Sequence, residues 1–117
     1  MSPEARALAN VLLNHHRQAI RRSREPLKNV NGALISYGVL CDRAGLSYRS
    51  RNAGPFLREI AEWCHDHEWP PINSLAVNHV TRVPGEGYDK APGCSRLNWP
   101  KEVEACIEFT GYPDTVG

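Results

Sequence analysis

At 117 residues, with 41% hydrophobic and 23% charged content, the chain is expected to be one soluble domain, residues 1–117, folded around one core and not disordered. No apolar run approaches the roughly 20 residues of a membrane span, and no secretory segment follows Met1, so a cytoplasmic location without membrane contact is expected. The net charge of +1 hides a split: residues 1–58 carry ten Lys/Arg against three acids, and residues 59–117 carry four against ten. Nine of the ten N-terminal cations are arginine, whose guanidinium forks onto phosphate or a guanine edge. One face is therefore expected to meet a polyanion.

Ser2-Pro3-Glu4 has the marks of a helix start: a hydroxyl cap, proline in the first turn and an acid at the positive end. Leu8, Val11, Leu12, His15 and Ala19 follow at helical spacing, predicting an amphipathic helix over 3–20 that carries Arg17, Arg21, Arg22 and Arg24 toward its end and stops at Pro26. Residues 33–35 read as a short strand. Ser36 caps a second helix over 37–44, closed by Gly45. A third helix runs from Asn52 to His67, its start fixed by Pro55, with Phe56, Leu57, Ile60 and Cys64 on the inner stripe and Arg58, Glu59, Glu62 and Asp66 opposite. Pro70-Pro71 breaks the chain. Residues 74–78 read as a strand with 79–83 as its return or extension, 84–87 as a tight turn and 88–97 as a loop. Asn98-Trp99-Pro100 opens a last helix whose Val103, Cys106 and Ile107 face inward. The fold class expected from this order is mainly α with a small β element, a winged helix-turn-helix.

Four cysteines, Cys41, Cys64, Cys94 and Cys106, are read as reduced, three of them on apolar helical stripes. Cys64 and His67 lie three apart on a helix, which would put them on one face. No second ligand pair at zinc spacing follows, so no metal and no cofactor are expected. No Gly-rich phosphate loop or nucleophile elbow is present, and no catalytic residue is assigned. The protein is read as a non-enzyme.

Arg43, Arg49 and Arg51, interleaved with Tyr37 and Tyr48 and followed by Asn52, surround the predicted turn and the entry of the third helix. In a helix-turn-helix that end enters the major groove. Arginine supplies phosphate and base contacts, and tyrosine stacks or bonds to phosphate. These six residues are the expected contact set for double-stranded DNA.

Ile35-Ser36-Tyr37-Gly38-Val39-Leu40, Ala44-Gly45-Leu46 and Arg51-Asn52-Ala53-Gly54-Pro55-Phe56-Leu57 resemble the DNA-binding domain of alkylguanine-DNA alkyltransferases and of the non-enzymatic alkyltransferase-like proteins. The resemblance covers about residues 5–90. It implies that Arg51 takes the place of an intercalating arginine, that Tyr37 contacts the target phosphate, and that a nucleotide is flipped, at an unstacking cost of a few kcal/mol. The reactive Pro-Cys-His-Arg segment is not matched: Pro70-Pro71-Ile72-Asn73 stands there, and Cys64-His65 falls earlier, in a helix. The resemblance thus implies DNA binding without alkyl transfer.

The competing expectation is a phage or mobile-element module that inhibits a host protein through the acidic half, with Glu59, Glu62, Asp66, Glu68, Glu102, Glu104 and Glu108 as its working surface. Trp63, Trp69 and Trp99 are read mainly as core residues.

Overall fold

In the computed structural model, which describes residues 1–21, 30–47 and 52–116, helix α1 covers Pro3–Arg21. Ser2 Oγ accepts from the Ala5 amide at 3.2 Å, satisfying one of the unpaired donors of the first turn. The Ser2 amide and hydroxyl in turn donate to Glu59 Oε1 and Oε2 at 2.8 and 2.7 Å. Glu59 belongs to α3 (Gly54–Asp66), so one carboxylate ties the start of α1 to the helix that packs along it. Glu59 is therefore a brace, and not part of a free acidic surface.

The buried stripe of α1 is Ala5, Leu8, Ala9, Leu12, Leu13 and His16. It is rotated from the expected one, leaving Val11 and His15 half-buried at its edge. The reason lies far along the chain: His16 Nε2 donates to the Cys106 carbonyl at 2.7 Å and its ring meets Tyr112 edge-on at 5.0 Å. The residues before the C-terminus dock on the same helix. Asn10 exchanges two hydrogen bonds with the Val116 backbone, and Arg17 pairs with Asp114 at 3.7 Å.

Strand β1 (Ile35–Ser36) leads directly into α2 (Tyr37–Arg43). Ser36 caps α2 as expected, accepting from the Val39 amide at 3.3 Å. Gly45, at φ +76°, ends it: the Leu46 amide reaches back to the Cys41 carbonyl and the Gly45 amide to that of Asp42, the double bond of a Schellman cap. Helix α3 closes the same way, with the Trp69 amide on the Cys64 carbonyl and the Glu68 amide on that of His65. There the left-handed position is held by Glu68, at φ +58°.

The chain then turns through a 3-10 segment, Ile72–Leu75, into strand β2 (Ala76–Val77). Its partner is β1, in parallel, with Ile35 opposite Ala76 and Ser36 opposite Val77. The expected return strand over 79–83 is not formed. Asn78 Oδ1 accepts from the Val80 and Thr81 amides, at 2.8 and 3.2 Å. The Asn78 backbone closes on Arg82 and Val83. This Asx turn consumes the groups a hairpin would have used, so the segment is a knuckle and not a wing. Helix α4 (Trp99–Glu108) completes a mainly helical fold with one small sheet.

Leu8, Leu12, Leu40, Ile60, Ile72, Leu75, Val77 and Val103 are fully buried in one continuous core. All four cysteines are buried free thiols. Trp63, Trp69 and Trp99 pack against the core from its edge, as the sequence reading held. Among the described residues no helix is long and apolar enough to cross a membrane.

Candidate functional site

A parallel pair delivers the residues that follow both strands to the same end of the sheet. Here these are Tyr37 and Asn78, and a cavity of about 660 Å³ opens between them. Its walls are Tyr37 and Gly38 from α2, Ala53, Gly54, Leu57 and Arg58 from the start of α3, the Asn78-His79 knuckle, Asn73, and the segment from Gly85 to Tyr88. That volume lies within the roughly 300–1,000 Å³ range of small-molecule sites.

Three polar groups define the chemistry of this wall. The Gly85 amide donates to the Tyr37 hydroxyl oxygen at 2.7 Å, which leaves the phenolic proton available for another acceptor. Burial raises the Tyr37 pKa against the smaller opposing effects of Gly85 and Arg96, so at neutral pH the group is a neutral donor. Tyr88, also nearly buried, donates to Glu102 Oε1 at 2.6 Å. Glu102 further accepts from the Ser95 amide, so this carboxylate fixes the loop that forms one side of the cavity. Burial, and after it the bond to Glu102, push the Tyr88 pKa upward.

Asn73 is the third group, 4% exposed. Its Nδ2 donates to Cys94 Sγ at 3.6 Å, while the Cys94 thiol donates to the Pro92 carbonyl at 3.5 Å. Because the one S–H is spent on Pro92, the sulfur can only accept from Asn73, which sets the amide's orientation. Asn73 Oδ1 is then left buried without a partner. An unsatisfied buried carbonyl costs about 1–3 kcal/mol.

Of the expected contact set, Tyr37 stands in this wall, with its hydroxyl turned onto Gly85. Asn52 is exposed two residues before α3 begins. Arg43 is exposed at the end of α2 and lines a different, shallower cleft. Tyr48, Arg49 and Arg51 lie outside the described residues. Residues 44–53 separate α2 from α3, a longer connection than the three to four residues of a helix-turn-helix turn.

The sequence reading missed Asn73, the Asn78-His79 pair, Arg58 and Tyr88. One signal was available for Asn73: Asn73-Ser74 is a polar pair inside an otherwise apolar run from Ile72 to Val77. Both residues are buried.

No cysteine lines the cavity. Burial pushes the Cys64 thiol up to about 12 and the Cys106 thiol up to about 11, far from the thiolate a nucleophile needs. Cys64 faces the core while His65, Asp66 and His67 face solvent, so the helical Cys64 and His67 do not share a face. His67 instead stacks on Trp69 at 4.3 Å and bonds through Nδ1 to the Trp63 carbonyl. Among the described residues no group of three His, Cys, Asp or Glu side chains is placed to hold a metal ion. No protein-family model, no curated protein and no solved structure matches this chain.

Proposed function

We propose that the protein is a non-catalytic DNA-binding protein of alkyltransferase-like type, gripping duplex DNA through the basic α2–α3 region and receiving an extruded base in the cavity beside Tyr37. The observation that carries the reading is the cavity itself. It opens at the first turn of α3, directly after the arginine-rich segment 49–51 in sequence, and it is lined by the Tyr37 phenol, whose proton is available, and by Asn73, whose Oδ1 is buried without a partner. Edges of nucleobases present donors and acceptors of this kind, and a base leaves the stack at a cost of a few kcal/mol that such a pocket offsets. On this reading the two-stranded β element positions the pocket. It marks or distorts its target, and carries out no group transfer.

The test is a duplex titration by fluorescence anisotropy across a salt series, with 2-aminopurine opposite an abasic position to report unstacking. The expected outcome is binding whose affinity falls steeply with salt, with a fluorescence rise on saturation. Absence of binding at low salt refutes it and favours the host-protein account. For that account Glu62, Asp66, Glu68, Glu104 and Glu108 remain exposed, whereas Glu59 and Glu102 are engaged internally.

A further inference from the structure

On the other side of β1 from the cavity lies a second, open cleft of about 420 Å³ between α1, α2 and the knuckle. Arg43 reaches it from the last turn of α2 and Arg82 from the knuckle, with His15 and Gln18 of α1 along one side. Among the described residues no acidic side chain lines it. Asp42, next to Arg43 in sequence, is exposed and stands outside the lining. Among the described residues neither arginine has a carboxylate within ion-pair distance, the one such pair being Arg17 with Asp114.

Two further features shape this cleft. Arg82 has a left-handed backbone, φ +58°, a conformation a non-glycine residue takes only where its surroundings impose it. The knuckle imposes it through the Arg82 amide on the Asn78 carbonyl at 2.8 Å. His15 Nε2 donates to the Ala33 carbonyl at 2.9 Å. Its pKa is lowered, first by burial and then by the Arg43 guanidinium, with the Ala33 bond opposing. The imidazole is thus neutral, beside two guanidinium groups that no carboxylate among the described residues pairs with. Two forked guanidinium donors lining one cleft, with no carboxylate among the described lining residues, are complementary to a tetrahedral oxyanion.

We infer that this cleft is a phosphate seat in which Arg43 and Arg82 grip one phosphate group, supplied either by a nucleic-acid backbone or by a free phosphate or phosphomonoester. The seat goes beyond the proposed base-receiving cavity and does not need it, since its ligand is the phosphate and not the base.

The experiment uses the full chain and the variants R43Q and R82Q, which keep long polar side chains at partly or wholly exposed positions. Inorganic phosphate is titrated while the arginine Nε–Hε resonances are followed by NMR, and duplex affinity is measured between 50 and 200 mM salt. One phosphate contact changes affinity about threefold over that range and two about tenfold, and each lost contact lowers the salt slope by about one unit. The expected result for a backbone phosphate is a slope lower by about one in each single variant and about two in the double variant, equally on every sequence. Saturable shifts of Arg43 and Arg82 with inorganic phosphate, lost in the variants, support the seat with a free phosphate as ligand. If the parent protein does not bind duplex at all, the duplex reading fails and the phosphate titration alone judges the seat. Parent-like slopes in both variants together with unmoved arginine resonances overturn it, whether or not duplex is bound.

Discussion

Replacing Asn73 by leucine separates what the cavity needs from what the fold needs. The buried Oδ1 has no partner, so its removal should return the cost of desolvating a carbonyl, about 1–3 kcal/mol. Against that stands the Nδ2–Cys94 contact, long at 3.6 Å and made to sulfur, which sits at the low end of the roughly 0.5–1.5 kcal/mol of a neutral hydrogen bond. Leucine is close to asparagine in size, its surroundings include the buried Ile72 and Leu75, and the backbone bond from the Ala76 amide to the Asn73 carbonyl is untouched. The net expectation is a gain of about 1 kcal/mol, which at a urea m-value of about 1.5 kcal/mol per M raises the unfolding midpoint by roughly 0.7 M. On the proposed reading, in which the Asn73 amide meets the base, duplex affinity and the 2-aminopurine signal should fall in the same variant. A stabilised protein with weaker binding is the pattern of a group kept for function at the expense of the fold. A variant that is less stable than the parent by 1 kcal/mol or more, and binds as the parent does, refutes the reasoning: Oδ1 would then serve the free protein and not a ligand.

Ser36→Ala should remove about 1 kcal/mol of stability, the usual worth of a hydroxyl cap, read as a lower urea midpoint with the far-UV spectrum retained. Tyr37→Phe deletes the acceptor of the Gly85 amide at 2.7 Å and should cost about 1 kcal/mol, together with duplex affinity; unchanged affinity would remove Tyr37 from the site. The hydroxyl and amide of Ser2 hold the Glu59 carboxyl below its ordinary value of 4.5. A depressed carboxyl contributes stability above its unfolded pKa and loses it as pH falls through the folded one. Glu59→Gln should therefore be less stable than the parent at pH 7, by about 0.5–1 kcal/mol after allowing for solvent screening, and the difference should shrink as pH falls below the ordinary value of 4.5. Glu68→Gly relieves a left-handed residue at the end of α3 and should add up to about 1 kcal/mol of stability, read as a higher urea midpoint.

Local signals carried well where one residue type decides the geometry. Ser36 and Gly45 bracket α2 because a hydroxyl cap and a left-handed glycine are chemically forced, and Pro55 sits in the first turn of α3 because proline is tolerated only there. The signals failed where distant chain decides. His16 is buried because the Cys106 carbonyl waits for it, and no spacing within α1 reveals that. The end of α3 carries Glu68 in place of a glycine, so only Pro70-Pro71 marked the stop. Asn78 looked like the end of a strand, but its side chain takes the Val80 and Thr81 amides and folds the expected return strand into a knuckle. The cavity was invisible for the same reason: its walls come from five separated segments, brought together by the parallel register of Ile35 with Ala76 and by bonds such as that of Gly85 to Tyr37.

The linear charge split also has a different meaning in three dimensions. Two acids of the C-terminal half are inward staples, Glu59 on the cap of α1 and Glu102 on Tyr88 and Ser95. Arg82, from that same acidic half, is carried by the knuckle to face Arg43 of the basic half across one cleft. Which cations share a cleft is thus set by β1 pairing with β2, since that register fixes where both Tyr37 and the knuckle stand. Tyr37 and Gly38 face the cavity while Ser36 and Val39 face the cleft; Asn78 and His79 face the cavity while Arg82 faces the cleft. A nucleic-acid strand lying across this edge would meet a donor–acceptor pocket on one side and a pair of unneutralised guanidinium groups on the other. A base and its own backbone phosphate make the same two demands.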